Sequence, residues 1–452
     1  MEKESSFFEK ANNWVKNSIT IRLITIGILI LLLLIPVTMV RDLIRERENR
    51  QKDAIREISA KWGGEQTITG LVLSVPYYIN SKVYDDKDNS YKLVRTKEYA
   101  HFLPDQLIIE GDISPEMRYR GIYEVIVYNS SLHIQGTLPH PDLTDWKIKN
   151  EDIVWDETFV SFGLSDLKGI QENITINWND TEIDLNPGIQ TSDVIYNGLS
   201  SRIPLNSKDT VKSLLNFSLD IIINGSSSLF FVPLGKSTLV TLNSTWKNPS
   251  FDGAFLPDNR EISKDGFTAN WNVLHQNRSY PQQFLGSTRG INQSAFGVNL
   301  FVPVDEYQKS MRSAKYAVMF ITLTFLIFFF VQILNKVRIH PIQYIIVGLA
   351  LCVFYTLLIA LSEHISFDTS YFISSVSIIT MITLYSHSLA KNSRLTKIIG
   401  GILTLLYLFI YSILQMQDYA LLMGSIGLFV VLGVVMYLSR KIDWYAVQGK
   451  NN

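Results

Sequence analysis

His140, Asp142 and Asp145 fall within one hexapeptide, His140-Pro141-Asp142-Leu143-Thr144-Asp145. An imidazole and two carboxylates at such spacing could contribute to a metal site. Proline and aspartate also favour turns, and a polar turn is the expectation here. Asp85-Asp86-Lys87-Asp88-Asn89 is superficially like a calcium loop. Such a loop needs a sharp glycine turn and a terminal glutamate ligand. Neither is present, and the segment reads as a solvated hairpin tip. The motifs G-x-x-x-x-G-K-[ST], H-E-x-x-H and G-x-S-x-G are absent, which removes the usual signatures of nucleotide, zinc-protease and serine-hydrolase chemistry. The one cysteine, Cys352, excludes intrachain disulfides, Cys-based zinc sites and Cys-x-x-Cys redox chemistry. No catalytic residue, cofactor or metal ligand set is therefore expected.

The remaining site of interest is Glu363-His364. It sets an acid and a titratable base at the end of an apolar run. Arg312 and Lys315, at the start of another apolar run, are the cations expected to meet Glu363. Such a group would couple the membrane block to an outer domain. The plainer alternative is a helix end meeting water.

Residues 342–361 carry no charge. A helix rising about 1.5 Å per residue over that length covers a hydrocarbon core of roughly 30 Å. Comparable runs occupy 23–40, 316–334, about 371–390, about 398–414 and about 420–438. The expectation is six transmembrane α-helices. No small-x-small site follows the first run, so it reads as an uncleaved anchor. Residues 41–62 are helix formers without Gly or Pro and continue it as a stalk, which Gly63-Gly64 ends.

From about 65 to 304 the apolar period drops to two, with Asn, Gly, Asp and Pro as punctuation. A large, mainly antiparallel β domain is expected between spans one and two. One sandwich and two smaller lobes both remain open. Asn224-Gly225 and Asn186-Pro187-Gly188 read as turns. The division is then 1–40 for the N-terminus and first span, 41–64 for the stalk, 65–314 for the β domain, 315–440 for the five-helix block and 441–452 for the tail.

Basic residues lie in alternate loops: Lys336 and Arg338, then Lys391, Arg394 and Lys397, then Arg440 and Lys441. The loops between carry no Lys or Arg. By the positive-inside rule both termini are cytoplasmic and the β domain is periplasmic. Arg41, Arg45, Arg47 and Arg50 on the outer side oppose this, but they are interleaved with acids. Trp444-Tyr445 suits an interfacial anchor. No span has Asp, Glu, Lys or Arg near its centre, where a proton pump or ion transporter would need one. A net charge of -1 gives no argument for nucleic acid.

Several stretches carry a family resemblance. They are L-L-L-L-I-P-V-T-M-V-R-D-L-I-R-E-R at 31–47, F-L-P-D-Q-L-I-I-E-G-D with R-Y-R-G-I-Y-E-V within 102–125, and N-P-S-F-D-G-A-F-L-P-D-N-R-E-I-S-K-D-G-F-T-A-N-W at 248–271. A long stretch follows from Phe296 through V-D-E-Y-Q-K-S-M-R-S-A-K-Y-A to L-S-E-H, and R-K-I-D-W-Y-A closes the chain. In these the sequence resembles the CreD family of bacterial inner-membrane, cell-envelope integrity proteins over nearly its whole length. The resemblance implies an inner-membrane location with a periplasmic domain. It also implies a non-enzymatic role in envelope maintenance and stress response under a two-component regulatory system, with links to colicin tolerance and β-lactam response. It carries over no functional residue. Expected partners are the lipid bilayer and envelope proteins or lipids. The rival expectation is an enzyme or transporter acting on envelope lipid or peptidoglycan.

Overall fold

A computed structural model describes residues 19–85, 90–203, 205, 214–287, 290–300, 306–335, 337–390, 392–416, 419–440 and 442. The chain forms two compact units, Lys52–Pro303 and the pair of segments Met1–Gln51 with Val304–Asn452. The tip 86–89, the basic residues Lys336, Lys391 and Lys441, and Trp444-Tyr445 lie outside the described residues.

The first span and the stalk are one helix, α1 (Ile19–Trp62). At 1.5 Å per residue its 44 residues run about 66 Å. Leu29, Leu33, Val37, Val40 and Ile44 are buried, a stripe at spacings of three and four that seats the helix on its unit. Leu33 fits where Gly348 has no side chain: a Cβ there would stand 2.1 Å from Leu33 Cδ1. Beyond the apolar run, successive pairs Asp42–Arg45, Glu46–Arg50, Asp53–Arg56 and Glu57–Lys61 sit one turn apart. These are solvent-exposed pairs, which add little to stability.

Among the described residues six helices are long and apolar enough to cross a membrane. After α1 and the short α2 (Glu306–Lys315) come α3 (Ala317–Leu334), α4 (Pro341–Ser362), α5 (Phe367–Ala390), α6 (Ser393–Gln415) and α7 (Ala420–Ser439). The helix α5 packs against both α4 and α6. An aromatic cluster holds the centre: the Tyr407 ring lies 4.4 Å from Phe320 and 4.9 Å from Phe354. Tyr371 donates to the Tyr407 carbonyl at 2.8 Å. No residue of α7 is buried.

The β unit contains two sheets. One has nine strands, in the order β13 (Pro249–Gly253), β17 (Phe296–Leu300), β11 (Ser228–Val232), β1 (Gln66–Asp85), β5 (Phe159–Leu164), β9 (Gly198–Arg202) and β8 (Asn186–Pro187). From β1 branch β2 (Ser90–Phe102) and then β16 (Gln283–Leu285). The other has eight, in the order β14 (Asn259–Ile262), β15 (Phe267–Leu274), β12 (Ser237–Ser244), β3 (Gln106–Arg120), β4 (Tyr123–Leu138), β10 (Leu215–Ser226), β6 (Thr175–Trp178) and β7 (Thr181–Asp184).

Antiparallel pairing dominates, but β1–β11 and β3–β12 are parallel. The choice between one sandwich and two lobes is settled by the core. Phe162 and Phe231 of the first sheet and Ile109, Ile134 and Leu219 of the second belong to one buried cluster. Trp271 of β15 and Phe296 of β17 join the sheets with ring centroids 5.6 Å apart.

Asn224-Gly225 is not a turn. Both residues continue β10, and the chain bends at Ser227, whose φ is 62°. Glycine is needed because the Tyr128 ring covers it: a Cβ on Gly225 would stand 2.3 Å from the ring. Asn186-Pro187 is likewise a short strand, and the turn follows at Gly188 with φ 106°.

Candidate functional site

Within the helical unit the polar residues converge where α1, α2 and α4 meet. Glu363 is the C-cap of α4. Its side chain is 11% exposed, and Oε1 lies 3.6 Å from Arg47 Nε of α1. Tyr307 of α2 donates its hydroxyl to the same Oε1 at 3.2 Å. Nearby, Arg41 donates to the Ala314 carbonyl from Nε at 3.3 Å and from Nη2 at 3.2 Å. A guanidinium there satisfies an orphan carbonyl at the end of α2 and complements the helix dipole.

Glu363 thus has a cation partner, and it is Arg47. Arg312 and Lys315 occupy the last turn of α2, and neither forms the recorded ion pair. His364 is not joined to this group by any hydrogen bond or ion pair among the described residues. Its side chain is exposed, and its backbone N–H donates to the Leu361 carbonyl. Sequence reading did not single out Arg47, which lies on the other side of the β domain in the chain. The helical periodicity of 41–62 was the available signal, since it places Arg47 one turn beyond Ile44, a buried stripe residue.

The other segments resolve simply. Asp142 Oδ1 accepts from the Thr144 backbone at 2.9 Å and from its hydroxyl at 2.6 Å, an Asx-turn arrangement. Strands β1 and β2 pair through Asp85 opposite Ser90, on either side of residues 86–89. His387 Nδ1 lies 3.3 Å from Thr396 Oγ1 across α5 and α6.

One constellation in the β unit carries no sequence signature. Ser74 and His101 face each other in the β1–β2 register, and Ser74 Oγ lies 2.9 Å from His101 Nδ1. Asp193, from the segment between β8 and β9, lies 3.2 Å from His101 Nε2. A carboxylate accepts only, so the network assigns the proton to Nε2 and leaves Nδ1 to accept from Ser74. This is the nucleophile, base and orienting acid of hydrolases by residue type. The surroundings differ: Ser74 is 2% exposed and His101 is fully buried, so the hydroxyl faces core rather than solvent. What the group does is pin the Asp193 segment to the sheet.

Burial pushes the His101 pKa below its usual value, against the raising effect of Asp193. The unfolded imidazole titrates near 6.5. Between the depressed folded value and about 6.5 the unfolded chain holds more protons, so stability falls as pH falls through that window. The expected result is faster amide hydrogen exchange in β1 and β2 at pH 5 than at pH 7, after correction for intrinsic rates. His101→Gln should flatten that difference. An equal pH dependence in both proteins would remove His101 as its cause.

Six spans and a large inserted β unit define the class, a multi-span membrane protein with an extramembrane β domain. A family model described as "Inner membrane protein CreD" matches residues 18–445. Inner membrane protein CreD of Escherichia coli (strain K12) is 33% identical over 420 residues, covering 92% of each chain. The chain belongs to the CreD family.

Proposed function

We propose that this protein maintains the cell envelope as a non-enzymatic inner-membrane component, with both termini cytoplasmic and the β domain periplasmic. Envelope proteins or lipids are its partners in this reading. The observation that carries it is the closure of Ser74: the one Ser–His–Asp group among the described residues has its hydroxyl in the core. A hydrolase would need that oxygen within reach of substrate. Loop basicity supports the orientation, with Arg338, Arg394, Lys397 and Arg440 on one side. The E. coli relative's name supports the membrane.

A strain lacking the protein, complemented with variants, tests both parts. Dye uptake through the envelope reads function, and a periplasm-active reporter fused after Asn452 or inserted within 85–89 reads topology. Ser74→Ala should restore the envelope as wild type does, and only the inserted reporter should be active. Failure of a stably produced Ser74→Ala protein to complement would revive the enzymatic reading. Activity of the C-terminal fusion would reverse the orientation.

A further inference from the structure

The solvent face of the eight-stranded sheet holds a patch of amide side chains. Register sets Asn177 of β6 beside Ser218 of β10, and Ser218 beside Gln135 of β4. The adjacent row on the same face carries Asn216, Thr137 and Gln106. These six line an open groove of about 400 Å3, within the range of about 300–1,000 Å3 common to small-ligand sites. The four amides are exposed, and their side chains make no hydrogen bond to any described residue.

The rim is built. Strands β6 and β7 turn through Asn179 and Asp180, with φ 45° and 67°, a two-residue hairpin turn of the type that wants both residues left-handed. Asn179 Oδ1 accepts from the Asn216 N–H at 2.8 Å, which fixes the turn against β10. One rung further along the same face the chemistry changes. Glu110, His133 and Asp220 are neighbours there, and His133 Nδ1 lies 2.7 Å from Asp220 Oδ1. The groove itself has one charged lining residue, Asp180 on the turn.

We propose that this groove binds a neutral saccharide. Each amide presents a donor and an acceptor in one plane, which matches adjacent sugar hydroxyls that both give and take hydrogen bonds. A phosphate or carboxylate ligand would call for Arg or Lys, and neither lines the groove. An acyl chain would call for apolar walls, whereas Ile108 supplies only a limited apolar floor for the C–H face of a ring. Asparagine disfavours strands, so Asn177 and Asn216 are placed here against local propensity.

The full chain, held in nanodiscs free of glycoside detergent, is titrated calorimetrically with the N-acetylglucosamine tetramer and, separately, with maltotetraose. Saturable binding of at least one is expected. Preference for the first identifies an acetamido glycan, and preference for the second a plain glucan. Asn177→Asp and Gln135→Glu keep side-chain shape and replace an amide with an anion. Each should weaken binding about tenfold or more, the scale of one or two lost hydrogen bonds. Asp220→Asn, one rung away, should leave it unchanged. No saturable heat from either sugar at millimolar concentration, or binding indifferent to both groove substitutions, overturns the proposal.

Discussion

Gln66→Leu is expected to lower the stability of the β unit by about 3–5 kcal/mol, the cost of leaving one buried and two part-buried backbone groups unpaired. Gln66 is fully buried. Its Nε2 donates to the Asp166 carbonyl at 2.9 Å and to the Asn224 carbonyl at 3.1 Å, and its Oε1 accepts from the Asp166 N–H at 3.2 Å. All three partners are main chain, so none can turn away to find water.

The residue stands at the junction between α1 and β1, which other contacts also hold. Trp62 Nε1 donates to the Tyr128 carbonyl at 3.2 Å, and the Gly64 N–H donates to Asp166 Oδ2 at 3.0 Å. Gly63 makes the turn with φ 147°, and a Cβ there would stand 2.6 Å from the Asn224 carbonyl oxygen. For a unit of this size the loss corresponds to a fall in melting midpoint of about 6–20 °C. Scanning calorimetry of the purified chain would show it as a shift of the β-unit transition. Gln66→Glu should be at least as damaging, because a carboxylate would face two carbonyls. A Gln66→Leu transition coincident with wild type would mean that the junction is held by Trp62 and Asp166 instead.

The second large effect is expected at Glu363. Glu363→Ala should cost the helical unit about 1–3 kcal/mol, between the near-zero value of an exposed pair and the several kcal/mol of a fully buried one. Glu363 itself is nearly enclosed, but Arg47 is 35% exposed, which keeps the figure below the buried limit. Asp368 is the control: its Oδ1 accepts from Gln415 Nε2 at 2.6 Å in an exposed setting, and Asp368→Ala should cost less than half as much. Arg47→Ala should resemble Glu363→Ala, and the double variant should cost less than the sum of the two. Arg312→Ala should leave the Glu363 effect intact. Melting in nanodiscs, of wild type and each variant, measures these effects. Strict additivity of Arg47→Ala and Glu363→Ala would show that the two charges do not interact.

Legibility in the sequence followed the range of the forces involved. Each span is a local property of about twenty residues, and the charge-free runs marked all six. The ends needed more: α5 begins at Phe367 and α6 at Ser393, several residues before their apolar cores, because polar first turns are helical too. Period two disclosed the β domain for the same local reason. It could not disclose that β1 lies beside β11, or that both sheets share one core, since these depend on partners far along the chain. Ser74, His101 and Asp193 were invisible for that cause. Glu363 was legible as an unusual helix end, but its partner was not, because Arg47 reaches it from the far side of the β domain in the chain. Asn224-Gly225 misled because its strong turn propensity is overridden by the ring of Tyr128.

The parallel pair β1–β11 also sets an order of events during synthesis. Residues Gln66 to Thr69 have their β11 partners at Leu229 to Val232, and β11 in turn pairs with β17, which ends at Leu300. The earliest strand of the domain therefore waits with part of its edge unmet until Val232 has been made, about 160 residues later. At about 5–20 residues per second that interval is on the order of 10–30 s. Pairings of such sequence separation are slow to close and leave apolar strands open to wrong partners meanwhile. The hairpins β1–β2 and β3–β4 can form during the wait, and they would shelter part of that edge. A nascent chain of this protein should accordingly depend on holding factors for longer than one built from hairpins alone.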